Sequence, residues 1–280
     1  MMTLHSTEIR CGDRFEFGSN WSRFLTTLNN VRILNAQKSL EHMLEVDSLE
    51  GKRFLDIGSG SGLFSLSARM LGASVVSFDF DPESVACTRE IRDRYFPGDC
   101  YWKVEEGSVL DADYIRNLGR FDIVYSWGVL HHTGSMWEAI ERAASLVSND
   151  GLFYISIYND QGFWSRYWKR VKKIYNSLPH ILKSPFSVLI LAPLELKSVC
   201  YSLMILKPQR YVMLWRDYKS NRGMSKWHDL IDWIGGYPFE VAKPEDVIGF
   251  IKKKGFFLDK LITQAGGRGC NEYVFKRNAE

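Results

Sequence analysis

Apolar residues follow two alternating rhythms along this chain. Compact runs are nearly continuous: Phe54, Leu55 and Ile57 in the first, Val75, Val76, Phe78 and Phe80 in the second, then Phe121–Ser126 and Leu152–Ile157. Runs of that kind suit strands covered on both faces, as in a parallel sheet. Between them the apolar positions fall three or four apart, at Leu63, Leu66 and Met70, and again at Met136, Ala139, Ile140, Ala143 and Val147. That spacing gathers them on one face of a helix. Strand and helix in alternation predict an α/β fold built on a Rossmann-like doubly wound sheet, mostly parallel.

The same patterns set the edges of the fold. Ile33, Ala36, Leu40, Met43 and Leu44 predict a helix before the first strand, and a further strand is expected near Tyr101–Glu105. Pro244 opens a helix carrying Val247, Ile248 and Ile251, which Gly255 stops. Phe256–Ile262 and Glu272–Lys276 read as two closing strands. The glycine-rich QAGGRGCN joins them, so an antiparallel pair is expected. Residues 161–240 contain no convincing strand and read as a helical cap insertion. The expected division is an N-terminal arm and helix over 1–50, a core over 51–160 and 241–280, and the cap between them. Within the arm, FEFGSNW at Phe15–Trp21 is dense in aromatics.

The junction after the first strand carries the first chemistry. Gly58, Ser59, Gly60, Ser61 and Gly62 form a turn with little steric bulk, and a helix follows. Strand, glycine turn and helix open a nucleotide site, because a ligand can approach the backbone and the helix start offers unpaired N–H groups. The third glycine of a dinucleotide fingerprint would fall at Leu63, and no P-loop lysine follows. Asp56, just before the turn, would crowd a pyrophosphate but suits a ligand with a cationic amine. The second strand ends at Asp79, 21 positions after Gly58, where an acidic residue can meet two ribose hydroxyls. Asp81-Pro82-Glu83 is a helix start, with Asp81 as its cap.

Composition narrows the setting. The chain has 280 residues, 45% of them apolar, 25% charged, with a net charge of +3. So small a net charge does not by itself argue for nucleic acid. Five dispersed cysteines without a C-x-x-C speak against a disulfide framework and a zinc knuckle, and fit a reducing cytosol. MMTLHSTEIR has no apolar core of a signal peptide, and no apolar run approaches the ~20 residues of a spanning helix. A cytoplasmic enzyme is expected.

Taken jointly, FLDIGSGSG, SFDFDPESV and FDIVYSWGVLHH resemble, in order and spacing, motifs of class I S-adenosylmethionine-dependent methyltransferases. The third is similar to the branch that includes ubiquinone-biosynthesis and other small-molecule O-methyltransferases. The resemblance covers residues 53–160 and 244–277. It implies S-adenosylmethionine as cofactor, S-adenosylhomocysteine as product, and no metal. It places Asp56 and Gly58 against the methionine amino and carboxylate groups, with Gly60 and Gly62 giving the backbone room. It assigns the ribose to Asp79 and the adenine to Phe80. Ser108, followed by Val109, stands where the family usually carries an acid for the adenine amino group; either Ser108 serves or Asp111 reaches in. Ser126 and Trp127 should border the methionine moiety.

The acceptor side is less determined. His131 and His132 lie beside the expected methyl donor, and one of them could take a hydroxyl proton; the plainer reading is that both shape the loop. As a metal pair they are poor, since adjacent side chains diverge. SKWHDLIDWIGGYPFE, Ser225–Glu240, packs Trp227, His228, Asp229, Asp232, Trp233, Tyr237 and Glu240 around a Gly-Gly turn, and reads equally as a site or as an aromatic brace. His228 and Asp229 join the catalytic candidates. Residues 161–210 hold nine basic residues and one acidic, a local +8 against −5 for the rest. Membrane-surface contact is a reading of that charge, but Pro185 and Pro193 are expected to interrupt any long amphipathic helix, which favours a solvated cap. The expected function is methyl transfer to a small-molecule acceptor, at a hydroxyl oxygen, with no nucleic-acid partner. The alternatives are a membrane-associated lipid or quinone methyltransferase, an RNA or protein methyltransferase, and a non-catalytic S-adenosylmethionine-binding protein.

Overall fold

The computed structural model describes residues 4–216, 226–267 and 269–279. Seven strands form one sheet: β1 (Arg53–Ile57), β2 (Ser74–Asp79), β3 (Trp102–Glu106), β4 (Phe121–Trp127), β5 (Val147–Tyr158), β6 (Phe256–Ile262) and β7 (Cys270–Arg277). Their order is β3-β2-β1-β4-β5-β7-β6. The first five are parallel, β7 runs antiparallel to β5, and β6 pairs antiparallel with β7. This is the mostly parallel, doubly wound sheet with an antiparallel closing pair that the hydrophobic pattern predicts.

Successive strand residues feed opposite layers, as the pleat requires. Phe54, Val75, Ile123 and Tyr154 pack against α3 (Asn30–Leu44), α4 (Leu63–Met70) and α5 (Pro82–Tyr95). Leu55, Phe78, Val124 and Phe153 pack against α6 (Ala112–Leu118), α7 (Met136–Ser145) and α12 (Pro244–Lys252). The order reverses between β1 and β4, so the crevice at the strands' carboxyl ends opens there, where ligands bind in such sheets.

The arm is two helices, α1 (Leu4–Cys11) and α2 (Gly18–Thr27). The insertion is helical: α8 (Phe163–Ser177), α9 (His180–Met204), α10 (Gln209–Arg216) and α11 (Lys226–Gly235). Trp168, Val171, Tyr175, Leu191, Ile234 and Phe239 give it a small core of its own, to which Phe15 of the arm adds. Two expectations are corrected, the break at the prolines and the want of an apolar run long enough to span a membrane. Pro185 and Pro193 lie inside α9, which runs unbroken for 25 residues and is long and apolar enough to cross a membrane by length and composition. A proline inside a helix costs about 3 kcal/mol or more. Packing of the intervening turns through Ser187 and Leu191, both buried, carries the helix through them.

Candidate functional site

The glycine turn has the backbone its composition predicts. Gly58, Gly60 and Gly62 all have positive φ, at 75°, 53° and 80°. Gly62 caps α4, and a Cβ there would stand 2.9 Å from the Thr88 backbone. A Cβ on Gly58 would strike Val129, and one on Gly60 would stand 3.0 Å from the Trp21 ring. Side chains are therefore excluded on both sides of this turn.

Two carboxylates sit under and beside the turn. Asp79, at the end of β2, accepts from the Gly60 N–H and the Asp81 N–H, each at 2.9 Å. Burial pushes its carboxyl up to about 6, although these N–H groups pull the other way. Asp56 is buried and accepts from the Ser65 hydroxyl, which shares a further hydrogen bond of 2.7 Å with Ser77. Burial holds Asp56 up at about 7, with the nearby Asp79 adding to the shift. Asp81 ties two helix starts together: it accepts from Glu83 N–H at 2.9 Å and from Gly18 N–H at 2.7 Å.

That second bond brings the arm over the turn. Trp21 reaches Gly60, the His5 ring meets Phe80 edge-on at 5.4 Å, and the Arg14 guanidinium lies over the Phe80 ring at 4.8 Å. Arg14 also donates to Glu8 at 2.6 Å and to the His132 carbonyl at 3.1 Å. Ser108 accepts from the Leu110 N–H, and Asp111 is spent on capping α6 through the Asp113 and Tyr114 N–H groups. Val109 is buried in the core layer of α6 and α7. Ser126 donates to the Ile57 carbonyl at 3.0 Å and so fastens β4 to β1; Trp127 is half-buried at the same edge.

The histidines after β4 form a short 3₁₀ turn, Leu130–His132, and differ sharply. His131 is fully buried against Tyr158, at 4.1 Å between centroids, and neither ring nitrogen has a described partner. Burial pushes its imidazole well below the ordinary range, and His132 pushes the same way. His132 holds the Pro238 carbonyl with Nδ1 at 2.6 Å. A neutral ring makes that bond as a donor, which leaves Nε2 with the lone pair. Burial lowers His132 to about 3, so it is neutral at every ordinary pH. Beside it lies a cavity of about 350 Å³ lined by Arg14, Thr133, Lys169, Tyr237, Phe239 and Glu240. Glu240 is also bound elsewhere, accepting from the Met136 N–H at the start of α7. The side chains of Trp227, His228 and Asp229 lie outside the described residues, so these candidates are placed only by the backbone of α11.

Residues 32–187, more than half of the chain, match the family described as "Methyltransferase domain". The chain belongs to that methyltransferase family. The chain is similar to the ubiquinone biosynthesis O-methyltransferase of Glaesserella parasuis serovar 5 (strain SH0165), at 30% identity over 129 residues, 46% of this chain and 55% of that protein. The protein of the same name from Xanthomonas euvesicatoria pv. vesicatoria (strain 85-10) is 32% identical over 142 residues, 48% of this chain and 52% of its own. The chain spans about half the length of the curated relatives it matches. Among solved structures, PKMT2 from Rickettsia typhi superposes with a TM-score of 0.57 at 13% identity, over 86% of this chain and 52% of that one. Magnesium protoporphyrin IX methyltransferase from Synechocystis PCC 6803 with bound SAH gives 0.51 at 14% identity, over 99% and 89%. At such identities the likeness is one of fold, and the fold is the class I one.

The residues around the turn that sequence reasoning missed are those of the arm. His5, Arg14, Gly18 and Trp21 meet the cofactor motifs only through contacts at long range in the chain. The one signal available was the aromatic density of Phe15–Trp21, which says that the arm packs but not on what.

Proposed function

We propose that this methyltransferase binds S-adenosylmethionine at the glycine turn and transfers its methyl group to a hydroxyl oxygen of a small, polar acceptor. The observation that carries the reading is a juxtaposition. A glycine-rich turn with Asp79 at its rim, and a neutral histidine that holds the Pro238 carbonyl through Nδ1, follow adjoining strands beside a polar cavity.

The residues fit the cofactor. The turn is held as glycine by positive φ and by the close approach of Val129, Trp21 and Thr88. Asp79 offers a carboxylate to hydroxyl donors, and charged acceptors make the stronger hydrogen bonds. Asp56, beneath the turn, adds negative charge toward a cationic amine. When bound, the group supplies an electrophilic methyl on a sulfonium. The chain's own contribution is placement and proton handling. Holding an acceptor oxygen in line with the methyl group can remove roughly 7–11 kcal/mol of barrier. As the oxygen gains its bond to carbon it becomes cationic and far more acidic. Its proton can then pass to His132 Nε2, although that imidazole is a weak base. Arg14 and Lys169 bring positive charge to the cavity, with Glu8, Asp13 and Glu240 as its negative side, so an acceptor with hydroxyls and a charged group is favoured over a plain hydrocarbon.

Incubating the full chain with donor labelled on the methyl group and a panel of hydroxyl-bearing acceptors tests this. Label is expected to be recovered as an O-methyl ether. Transfer only to nitrogen or sulfur acceptors, or calorimetry showing no cofactor binding, would overturn the assignment.

A further inference from the structure

The catalytic reading leaves α9 and its surroundings unexplained. Ser187, Ile190 and Leu191 seat the helix on the cap. The opposite face presents Ile181, Val188, Leu189, Leu196 and Leu203, which recur at helical spacing and are 47% exposed or more. Leu189 is 69% exposed and Ile181 82%. Past the helix end Leu206 is 87% exposed, and Val212 and Met213 continue the apolar surface on α10. A monomer rarely shows water a contiguous apolar surface of this kind unless something covers it.

The charges around the face say what covers it. Arg166, Arg170 and Lys173 are exposed on α8, as are Lys197, Lys207 and Arg210 around α9 and α10. The one acidic residue of 161–210, Glu195, accepts from the Tyr211 hydroxyl and the Trp215 indole and is held within the cap. Trp164, Tyr167 and Tyr201 are exposed among the basic side chains, and such amphipathic rings favour a boundary between water and hydrocarbon. We infer that the outer face of α9 and α10 docks on the surface of an anionic lipid bilayer. A second copy of the chain fits poorly, because each copy would bring the same +8 region to the contact. At 25 residues, about 37 Å, the helix is long enough to span, but its inner face is committed to the cap. It therefore lies in the headgroup plane, in the manner of an interfacial helix with an apolar face and basic flanks.

The inference does not depend on methyl transfer, and its test reads binding alone. The full chain is sedimented with vesicles of phosphatidylcholine, with and without phosphatidylglycerol, at low and high salt. Binding is expected to the anionic vesicles only and to weaken as salt rises. Leu189→Glu with Leu196→Glu should abolish it at all salt concentrations. Arg166→Glu with Arg170→Glu and Lys173→Glu should weaken it by roughly tenfold or more, with a flatter salt dependence. Unchanged circular dichroism and thermal midpoint would show that both variants fold. The inference is overturned if the folded wild type leaves anionic vesicles in the supernatant, or if both variants bind as the wild type does. It is equally overturned if sedimentation velocity shows a dimer that Leu189→Glu with Leu196→Glu dissolves, since a second copy would then cover the face.

Discussion

The sheet with its glycine turn and the cover above it are built on opposite principles. In the sheet, residues close in sequence determine one another. Gly62 closes the turn and caps α4, and Asp81 caps α5 two residues after Asp79. In the cover, the decisive contacts join segments at least 61 residues apart, most of them more than a hundred. Arg14 reaches the His132 carbonyl, the Phe15 N–H donates to Tyr237 at 2.9 Å, and the Phe15 ring stands where a Cβ on Gly235 would be. Lys172, fully buried on α8, donates to the Trp233 carbonyl and lies over the Trp233 and Phe239 rings at 4.3 and 4.7 Å. Under the proposed function, cofactor binding would rest on local motifs that many sequences can share, and acceptor choice on how arm and cap meet over them.

The sharpest way to break this comparison is at Asp79. If the motif half alone holds the cofactor, Asp79→Ala should weaken binding by about 1.5–3 kcal/mol for each charged hydrogen bond lost. Titration calorimetry reads the change, and equal affinity in wild type and variant would move the ribose elsewhere. Acceptor chemistry should survive at saturating cofactor, because the cover is untouched.

The reciprocal experiment is His132→Ala. Turnover should fall, though by less than the roughly 10²–10⁴-fold of a base whose pKa lies near the working pH, while cofactor affinity stays near the wild type. His131→Ala separates position from chemistry. That ring is fully buried against Tyr158, so its loss should lower the thermal midpoint rather than act on turnover alone. Near-normal turnover in His132→Ala would remove histidine from the proton transfer.

How much of this was legible follows the same divide. The strands, the helices between them and the mostly parallel sheet could be read because buried strands and amphipathic helices leave different periods in the sequence. The glycine turn could be read because positive φ leaves few alternatives to glycine. The sequence did not show that Asp111 is consumed as the cap of α6, or that Arg14 and His5 flank Phe80, because both depend on what lies nearby in space. Nor did it show that α9 runs through two prolines. Proline disfavours a helix locally, but packing along Ser187 and Leu191 outweighs that cost, and no short-range pattern contains it.

The smallest expected effect is the most specific to this site, and it concerns pH. Asp79 and Asp56 have carboxyls raised to about 6 and about 7 in the fold. Their protonated forms contribute stability below the ordinary carboxyl pKa, and that contribution is lost as pH rises through those values. His132, lowered to about 3, and His131, pushed well below the ordinary range, have the opposite sign: their contribution is present above the ordinary imidazole pKa and lost as pH falls below it. Between about pH 4 and 6.5 the two slopes oppose each other, so the thermal midpoint of the free protein should change little there. Cofactor affinity has no such cancellation. Ribose hydroxyls and a cationic amine favour the ionised carboxyls, so binding must release protons below about pH 7. Affinity should therefore be full at pH 8 and decline below pH 6, approaching about tenfold per unit for each group that must ionise. Calorimetry in buffers of different ionisation enthalpy would count the protons released at pH 6. Asp79→Asn should flatten the profile at the cost of affinity. An affinity that is level from pH 5 to 8 in the wild type would mean that Asp79 is already ionised in the free protein, and that its hydrogen bonds from Gly60 and Asp81 outweigh its burial.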